Sequence, residues 1–424
     1  MSTTDALPAV FNENIEITTL ANGVRVVSET VTHVQSVSIG IWVGVGSRDE
    51  ERGVRGITHF IEHMLFKGTA RRDARQIADE IESRGGSLNA FTDKEYTCYY
   101  AKALAEHAEI VVDVLTDMLR HSALDSEELG REQNVVLEEI KRYNDTPDDI
   151  VHDLFAQTLW KTHPLGRPVI GTSKTVAALD REDLVEYLST HYTPDRIVLS
   201  ASGNVAHGDM VALAEKSLGD TSGSTYHRRP LAPPVASGQD KRTRKRTEQV
   251  HFCYGSPAFS QHDDDRYALT ILDTVLGGNM SSRLFQEIRE KRGLAYSIGS
   301  YSVSYDEGGI FTIYGGTSPD TFDQVLDLTK IEIEKVKRGG LSEDEVSKAK
   351  TQIRGALVLG LENMSSRMMR MGKSLLYFDR VIPLDEIIHK INAVTHDDIG
   401  RISDTLFDES RLTLAAVGPF RKGD

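Results

Sequence analysis

The chain has 424 residues, 39% of them hydrophobic and 27% charged, and a formal net charge of −15. At roughly 100–200 residues per domain it makes two large domains or up to four smaller ones, with enough apolar content for a sizeable core. The acidic balance argues against nucleic acid or an anionic membrane as a partner, because the average surface repels both.

In chain order, the N-terminus "MSTTDALPAVFNENIEITTL" has neither the basic start and apolar centre of a secretory signal nor the arginines of a transit peptide. Residues 1–15 read as a tail. No later stretch reaches the ~18 uninterrupted apolar residues of a membrane span, and a cytoplasmic protein is expected. The two cysteines agree: Cys98 and Cys253 each sit in an apolar strand-like run, as reduced buried thiols do. "VQSVSIGIWVGVGS" (34–47) is rich in β-branched residues and predicts a strand.

"HFIEHMLFKG" (59–68) is the first stretch that carries chemistry. His59 and His63 are four positions apart, so on a helix both project from one face, about 40° from each other. Two neutral imidazoles so placed can hold one tetrahedral metal ion. Glu62, one turn from His59, would lie beside that ion, where a carboxylate can take a proton from water whose pKa the metal lowers to about 7. Phe60, Ile61, Met64 and Leu65 are expected to keep bulk water from the site. Core histidines satisfied by hydrogen bonds are the plain alternative.

"DARQIADEIESRGG" (73–86) has helical apolar spacing and stops at a glycine pair. "HAEIVVDVLTDMLRHSAL" (107–124) and "SEELGREQNVVLEEIKRY" (126–143) also read as amphipathic helices. The second offers Glu132, Glu138 and Glu139 as a third ligand. Glu132 and Glu139 are seven apart and share a face; Glu138 points roughly 100° away. "TPDDIVHDLF" (146–155) sets Asp149 and Asp153 at a helix start, where the dipole favours acids in any case. "RIVLSASGNV" (196–205) predicts another strand. Residues 220–249 are rich in Pro, Gly, Ser and charge and read as a linker, with the basic run Lys241 to Arg246 as a solvated loop or strand edge.

The halves on either side of the linker match. "DRIVLSASGNV" parallels "SRLTLAAVGPF", "YTCYYAKALAEH" parallels "FTIYGGTSPDTF", and "LDSEELGREQNVVLEE" parallels "LSEDEVSKAKTQIRGA", at an offset of about 215 residues. Two homologous domains are expected, 16–219 and 250–424. Interspersed strands and paired helices predict an α+β fold, each domain a mainly antiparallel sheet with helices packed on one face. In the second half Ala349 and Ala356 stand at the places of Glu132 and Glu139, and "YALTILDTVLGG", the counterpart of the His59 helix, has no histidine. Motif and acids are absent together, as residues serving one metal site would be. "VLGGNMSSRLF" (275–285) lacks the lysine and glycine spacing of a phosphate loop and reads as a join between helices.

The order His59, Glu62, His63 is the inverted zinc motif His-x-x-Glu-His. With "GITHF" leading into "EHMLFKGT", then "GGSLNAFTDKEYTCYY" and "VVLEEI", the chain from about residue 16 to 418 resembles the pitrilysin/insulinase (inverzincin) family of zinc peptidases. It is most similar to the short members, the mitochondrial processing peptidase β-subunit and its bacterial relatives. The resemblance implies domains that pair so that four enclose a chamber, with one zinc-bearing and one degenerate half. It implies one Zn2+ per chain on His59, His63 and Glu139, with Glu62 as general base and Glu132 supporting a ligand histidine through its far nitrogen. "SLNAFT" would be an edge strand that takes the substrate as an added strand, with Asn89 and Ala90 beside the scissile bond. "IREKRGLAYSIGS" would reach across the chamber, with Arg289 and Tyr296 holding substrate carbonyl oxygens. Asp149 and Asp153 would receive a basic substrate residue. The resemblance thus implies an endopeptidase acting on peptides or unfolded presequence-like segments. A homodimer is expected, with a heterodimer containing an inactive homologue as the alternative. A non-catalytic core subunit of the same fold is the rival reading.

Overall fold

The computed structural model describes residues 13–421 except 224, 226, 227, 229 and 234–237. Of the tail expected over 1–15, residues 1–12 lie outside the described residues. Six strands form the first sheet, in the order β1 (Ile15–Thr19), β2 (Arg25–Thr30), β6 (Ile197–Gly203), β3 (Ser36–Val43), β5 (Thr97–Leu104), β4 (Ser87–Thr92). Five form the second: β7 (Asp240–Arg244), β11 (Thr413–Gly418), β8 (Val250–Ala258), β10 (Gly309–Thr317), β9 (Ala295–Ser304). Leaving β1 aside, both follow one plan. β2 runs parallel to β6, β7 runs parallel to β11, and all other neighbours are antiparallel. The expected α+β class and the duplication are both present. At one end of each sheet the last strand, β4 or β9, has an edge left unpaired by the described residues.

Each half lays its own helices on one face of its sheet. Val37, Ile39, Ile41 and Val43 of β3 enter one core with Phe60, Ile61, Val111 and Leu115. The opposite face takes a single helix from the other half. Met364–Phe378 packs on β2, β3 and β6 of the first sheet, and Pro147–Trp160 packs on β8 and β11 of the second. Met368, Met371 and Leu375 join Trp42, Val27 and Val198 in one extra core. Val151, Phe155, Leu159 and Trp160 join Cys253, Ala415 and Val417 in another. This explains why β3 is buried along almost its whole length rather than at alternate residues. Each fully buried Met, Leu or Phe is worth roughly 1.5–3 kcal/mol, so the exchanged helices bind the halves firmly.

The described part of the linker is pinned down. Arg228 grips Asp49 through Nε–Oδ1 and Nη2–Oδ2 bonds of 2.8 and 2.6 Å. The basic run contributes to β7, an edge strand whose charged side chains suit that place. Cys98 and Cys253 are free and buried. Among the described residues no helix is long and apolar enough to cross a membrane.

The tightest point of the exchange is Gly372, where a Cβ would stand 2.2 Å from Trp42 Nε1. Gly372→Ala is expected to cost about 1–3 kcal/mol of stability through overpacking. Gly400→Ala, at a helix position where a Cβ meets nothing within 4 Å, should be neutral or stabilising by up to about 1 kcal/mol. Denaturant unfolding of the two variants measures the contrast.

Candidate metal centre

The motif helix, Ile57–Leu65, begins where glycine is required. Gly56 has φ +90°, and a Cβ there would meet Ile170 O at 2.7 Å. The Glu50 carboxylate covers the helix start, accepting from the Gly56 N–H at 2.8 Å and the Thr58 N–H at 3.0 Å, where the helix dipole favours negative charge. Phe60, Ile61, Met64 and Leu65 are fully buried in the first core. Their burial fixes the rotation of the helix and leaves His59, Glu62 and His63 on its open side. The His59 and His63 side chains are 14% and 23% exposed. The apolar neighbours therefore anchor the helix from behind, and the site is largely withdrawn from water while staying open on one side.

The acid helix, Ser126–Asp145, packs against the motif helix. Buried Leu129, Val136 and Ile140 set its rotation. Glu132 and Glu139 turn toward the histidines, while Glu138 faces outward and pairs with Lys141 at 2.6 Å. Glu139 Oε2 lies 3.9 Å from His59 Nε2 and 3.6 Å from His63 Nε2. Donors bound to one tetrahedral zinc are about 3.4 Å apart, so two imidazole nitrogens and this carboxylate fit around an ion with small adjustments. Among the described residues, His59, His63 and Glu139 are the one group of three or more His, Cys, Asp or Glu close enough to hold a metal. His63 Nδ1 lies 2.9 Å from Glu132 Oε1. An ionised carboxylate only accepts, so Nδ1 carries a proton, and once the ring is neutral its free lone pair is the Nε2 one that faces Glu139. Lys67 holds the other oxygen of Glu132 at 2.7 Å. His59 has no such support among the described residues: there its Nδ1 is buried without a hydrogen-bond partner.

Residues 25–173 match the family profile "Insulinase (Peptidase family M16)", and residues 178–353 match "Peptidase M16 inactive domain". The chain belongs to peptidase family M16. An uncharacterized zinc protease of Bacillus subtilis is 44% identical over 405 residues, covering 95% of this chain and 97% of its own. One of Streptomyces coelicolor is 41% identical over 412 residues, covering 95% and 89%. In fold, the chain matches a protease crystal structure from Helicobacter pylori with a TM-score of 0.91 at 22% identity, over 96% of this chain and 99% of that one. A structure from Pseudomonas fluorescens titled as a peptidase M16 inactive domain matches with a TM-score of 0.90 at 18% identity, over 97% and 99%.

The other residues singled out in this M16 chain are distributed as follows. Asn89 and Ala90 lie on β4, whose far edge is unpaired, and Asn89 Oδ1 accepts the Ala90 N–H at 2.8 Å. Thr92 at the end of β4 donates to Glu62 Oε2 at 2.6 Å, so the edge strand and the motif acid touch. Arg289 and Tyr296 meet each other, the guanidinium 5.0 Å from the ring centre, and Tyr296 is 79% exposed. Among the described residues, neither makes a hydrogen bond or ion pair with the metal-binding group. Asp149 is exposed, whereas Asp153 accepts from the Tyr143 hydroxyl at 2.9 Å. Glu50, Lys67 and Thr92 were not singled out in the sequence. Lys67 and Thr92 stand inside the quoted motifs, but nothing in the spacing names their partners.

Environment separates the titratable groups. Burial, and then the neighbouring His63, pull His59 down to about 4. Burial acts the same way on His63, but the hydrogen bond to Glu132 and the charges of Glu139, Glu132 and Glu62 outweigh it and raise His63. Burial pushes Glu62 above the usual carboxylate range, against the Thr92 hydrogen bond. Burial would raise Glu132 too, yet the hydrogen bonds from His63 and Lys67 hold it low. At about pH 6.5, then, His59 already offers a free lone pair, whereas His63 holds its proton more firmly than an ordinary imidazole. Binding of zinc there is expected to release protons, chiefly from His63. Calorimetric titration in buffers of different protonation enthalpy detects the release, and its absence contradicts this account.

Proposed function

We propose that the protein is a zinc-dependent endopeptidase. The observation that carries the reading is the joint placement of His59 Nε2, His63 Nε2 and Glu139 Oε2 beside Glu62, in a chain whose curated relatives are named zinc proteases. His59, His63 and Glu139 would hold one Zn2+, and Glu132 would fix the His63 ring. When bound, zinc supplies Lewis acidity to the attacking water and to the scissile carbonyl. Glu62 takes the water proton and returns it to the leaving amine, a role suited to a carboxyl raised toward neutral pH by burial. The free edge of β4 suits a substrate bound as an added strand, with Asn89 and Ala90 alongside. Half-buried Arg289 and exposed Tyr296, which lie against each other, would hold carbonyl oxygens, Tyr296 also helping the oxyanion. Peptides or unfolded presequence-like segments are the substrates, bound in a chamber closed by a second copy of the chain. The scaffold reading has no comparable support, since ligands, base and supporting acid all stand together.

Glu62→Gln is expected to retain zinc and to lose hydrolysis of an unfolded peptide by at least about 100-fold. Metal analysis and peptide cleavage on the same preparation test this; a fully active variant refutes the mechanism.

Preference for a basic residue near the cut would fall mainly to Asp149, because Asp153 is already engaged by Tyr143. Asp149→Ala should weaken that preference about 10-fold or more, as loss of a charge-assisted bond does. Cleavage mapping in a mixed peptide library decides it, and an unchanged preference excludes the role.

A further inference from the structure

The second half keeps part of the site in altered form. The buried residues Phe60, Ile61, Met64 and Leu65 of the motif helix align with Ile271, Leu272, Val275 and Leu276 of its counterpart, Asp265–Leu276. That register puts Thr270 and Thr274 at the positions of the two histidines and Asp273 at the position of Glu62. Both threonine hydroxyls bond back to their own helix, to Arg266 O and Thr270 O, at 2.8 Å each. The imidazoles are gone, but the acid and the type of its partner remain. Glu62 Oε2 accepts from Thr92 Oγ1 on β4 at 2.6 Å. Asp273 Oδ1 accepts from Ser300 Oγ on β9, the edge strand that takes the place of β4 in the second sheet. The bridge from helix acid to edge-strand hydroxyl thus occurs with and without the metal donors and belongs to the fold.

We infer that in the first half this bridge makes Thr92 a positioning residue for Glu62. Its hydroxyl holds Oε2 against β4 and presents Oε1 as the oxygen that meets the attacking water. The inference rests on the peptidase reading above. Among the described residues, no hydrogen bond reaches Oε1. A carboxylate fixed through one oxygen presents the other in a single orientation, and loss of such alignment can cost up to about 100-fold in rate. Thr92 shares its strand with Asn89 and Ala90, so the bond also ties the proton-transfer group to the strand that would carry the substrate.

Thr92→Ser and Thr92→Val separate the hydroxyl from the packing of the side chain. Thr92→Val is expected to lower kcat about 10-fold or more with KM moved less than about threefold, the pattern of an interaction made in the transition state. Thr92→Ser should stay within about threefold of the wild type in both. Crystal structures of the metal-free variants give a readout apart from activity: Glu62 leaves β4 in Thr92→Val and stays in Thr92→Ser. Thr92→Ala, with the same readouts, serves where Thr92→Val does not fold. Ser300→Ala measures what loss of such a bridge costs in melting temperature alone. The inference is overturned if the valine variant keeps its kcat, if Glu62 does not move, or if the lost activity is explained by the folded fraction. A wild type that cleaves no peptide with zinc, like Glu62→Gln, overturns the peptidase reading and this inference with it. An active wild type beside an equally active Thr92→Val overturns this inference alone.

Discussion

Residues four apart on an α-helix face nearly the same way, and the whole site depends on that fact meeting a second helix at the right distance. The motif helix supplies two imidazoles, and packing against the acid helix brings Glu139 to within 3.6–3.9 Å of both. Neither helix could be rotated without losing the group, and each is fixed by residues that never touch it. Phe60, Ile61, Met64 and Leu65 hold one from behind; Leu129, Val136 and Ile140 hold the other. The electrostatic consequence is a crowded pocket. Three carboxylates, Glu62, Glu132 and Glu139, surround two imidazoles, and Lys67 neutralises only Glu132 directly. A divalent cation would balance this arrangement.

The duplicated fold bears on the same site. The two halves exchange a helix each, so the sheet that carries β4 is covered on one face by Met364–Phe378 from the other half. The edge strand beside Glu62 reaches this shared core through Phe91. The second half retains the sheet plan and the acid–hydroxyl bridge, while threonine and alanine stand where donors would be. A fold that keeps its bridges without its metal ligands shows which contacts belong to architecture and which to chemistry.

Much of this was legible in the sequence, for physical reasons. The His59 and Glu132–Glu139 faces could be read because helical periodicity fixes direction from spacing alone. The repeat exposed the second domain and its missing ligands. The exchanged helices could not be read in that way: amphipathic spacing says that Phe155 or Met368 is buried, not against whose sheet. β7 was hidden because "DKRTR" has the composition of a solvated loop, which an edge strand tolerates. Glu50, Lys67 and Thr92 escaped because each acts on a partner that only the tertiary structure supplies.

The most direct test of the central claim is anomalous diffraction at the zinc edge from crystals of the protein grown with zinc. One peak is predicted, about 2.0–2.2 Å from His59 Nε2, His63 Nε2 and a Glu139 oxygen. A peak elsewhere, or Glu139 turned away with no ion between the two imidazoles, would contradict the account.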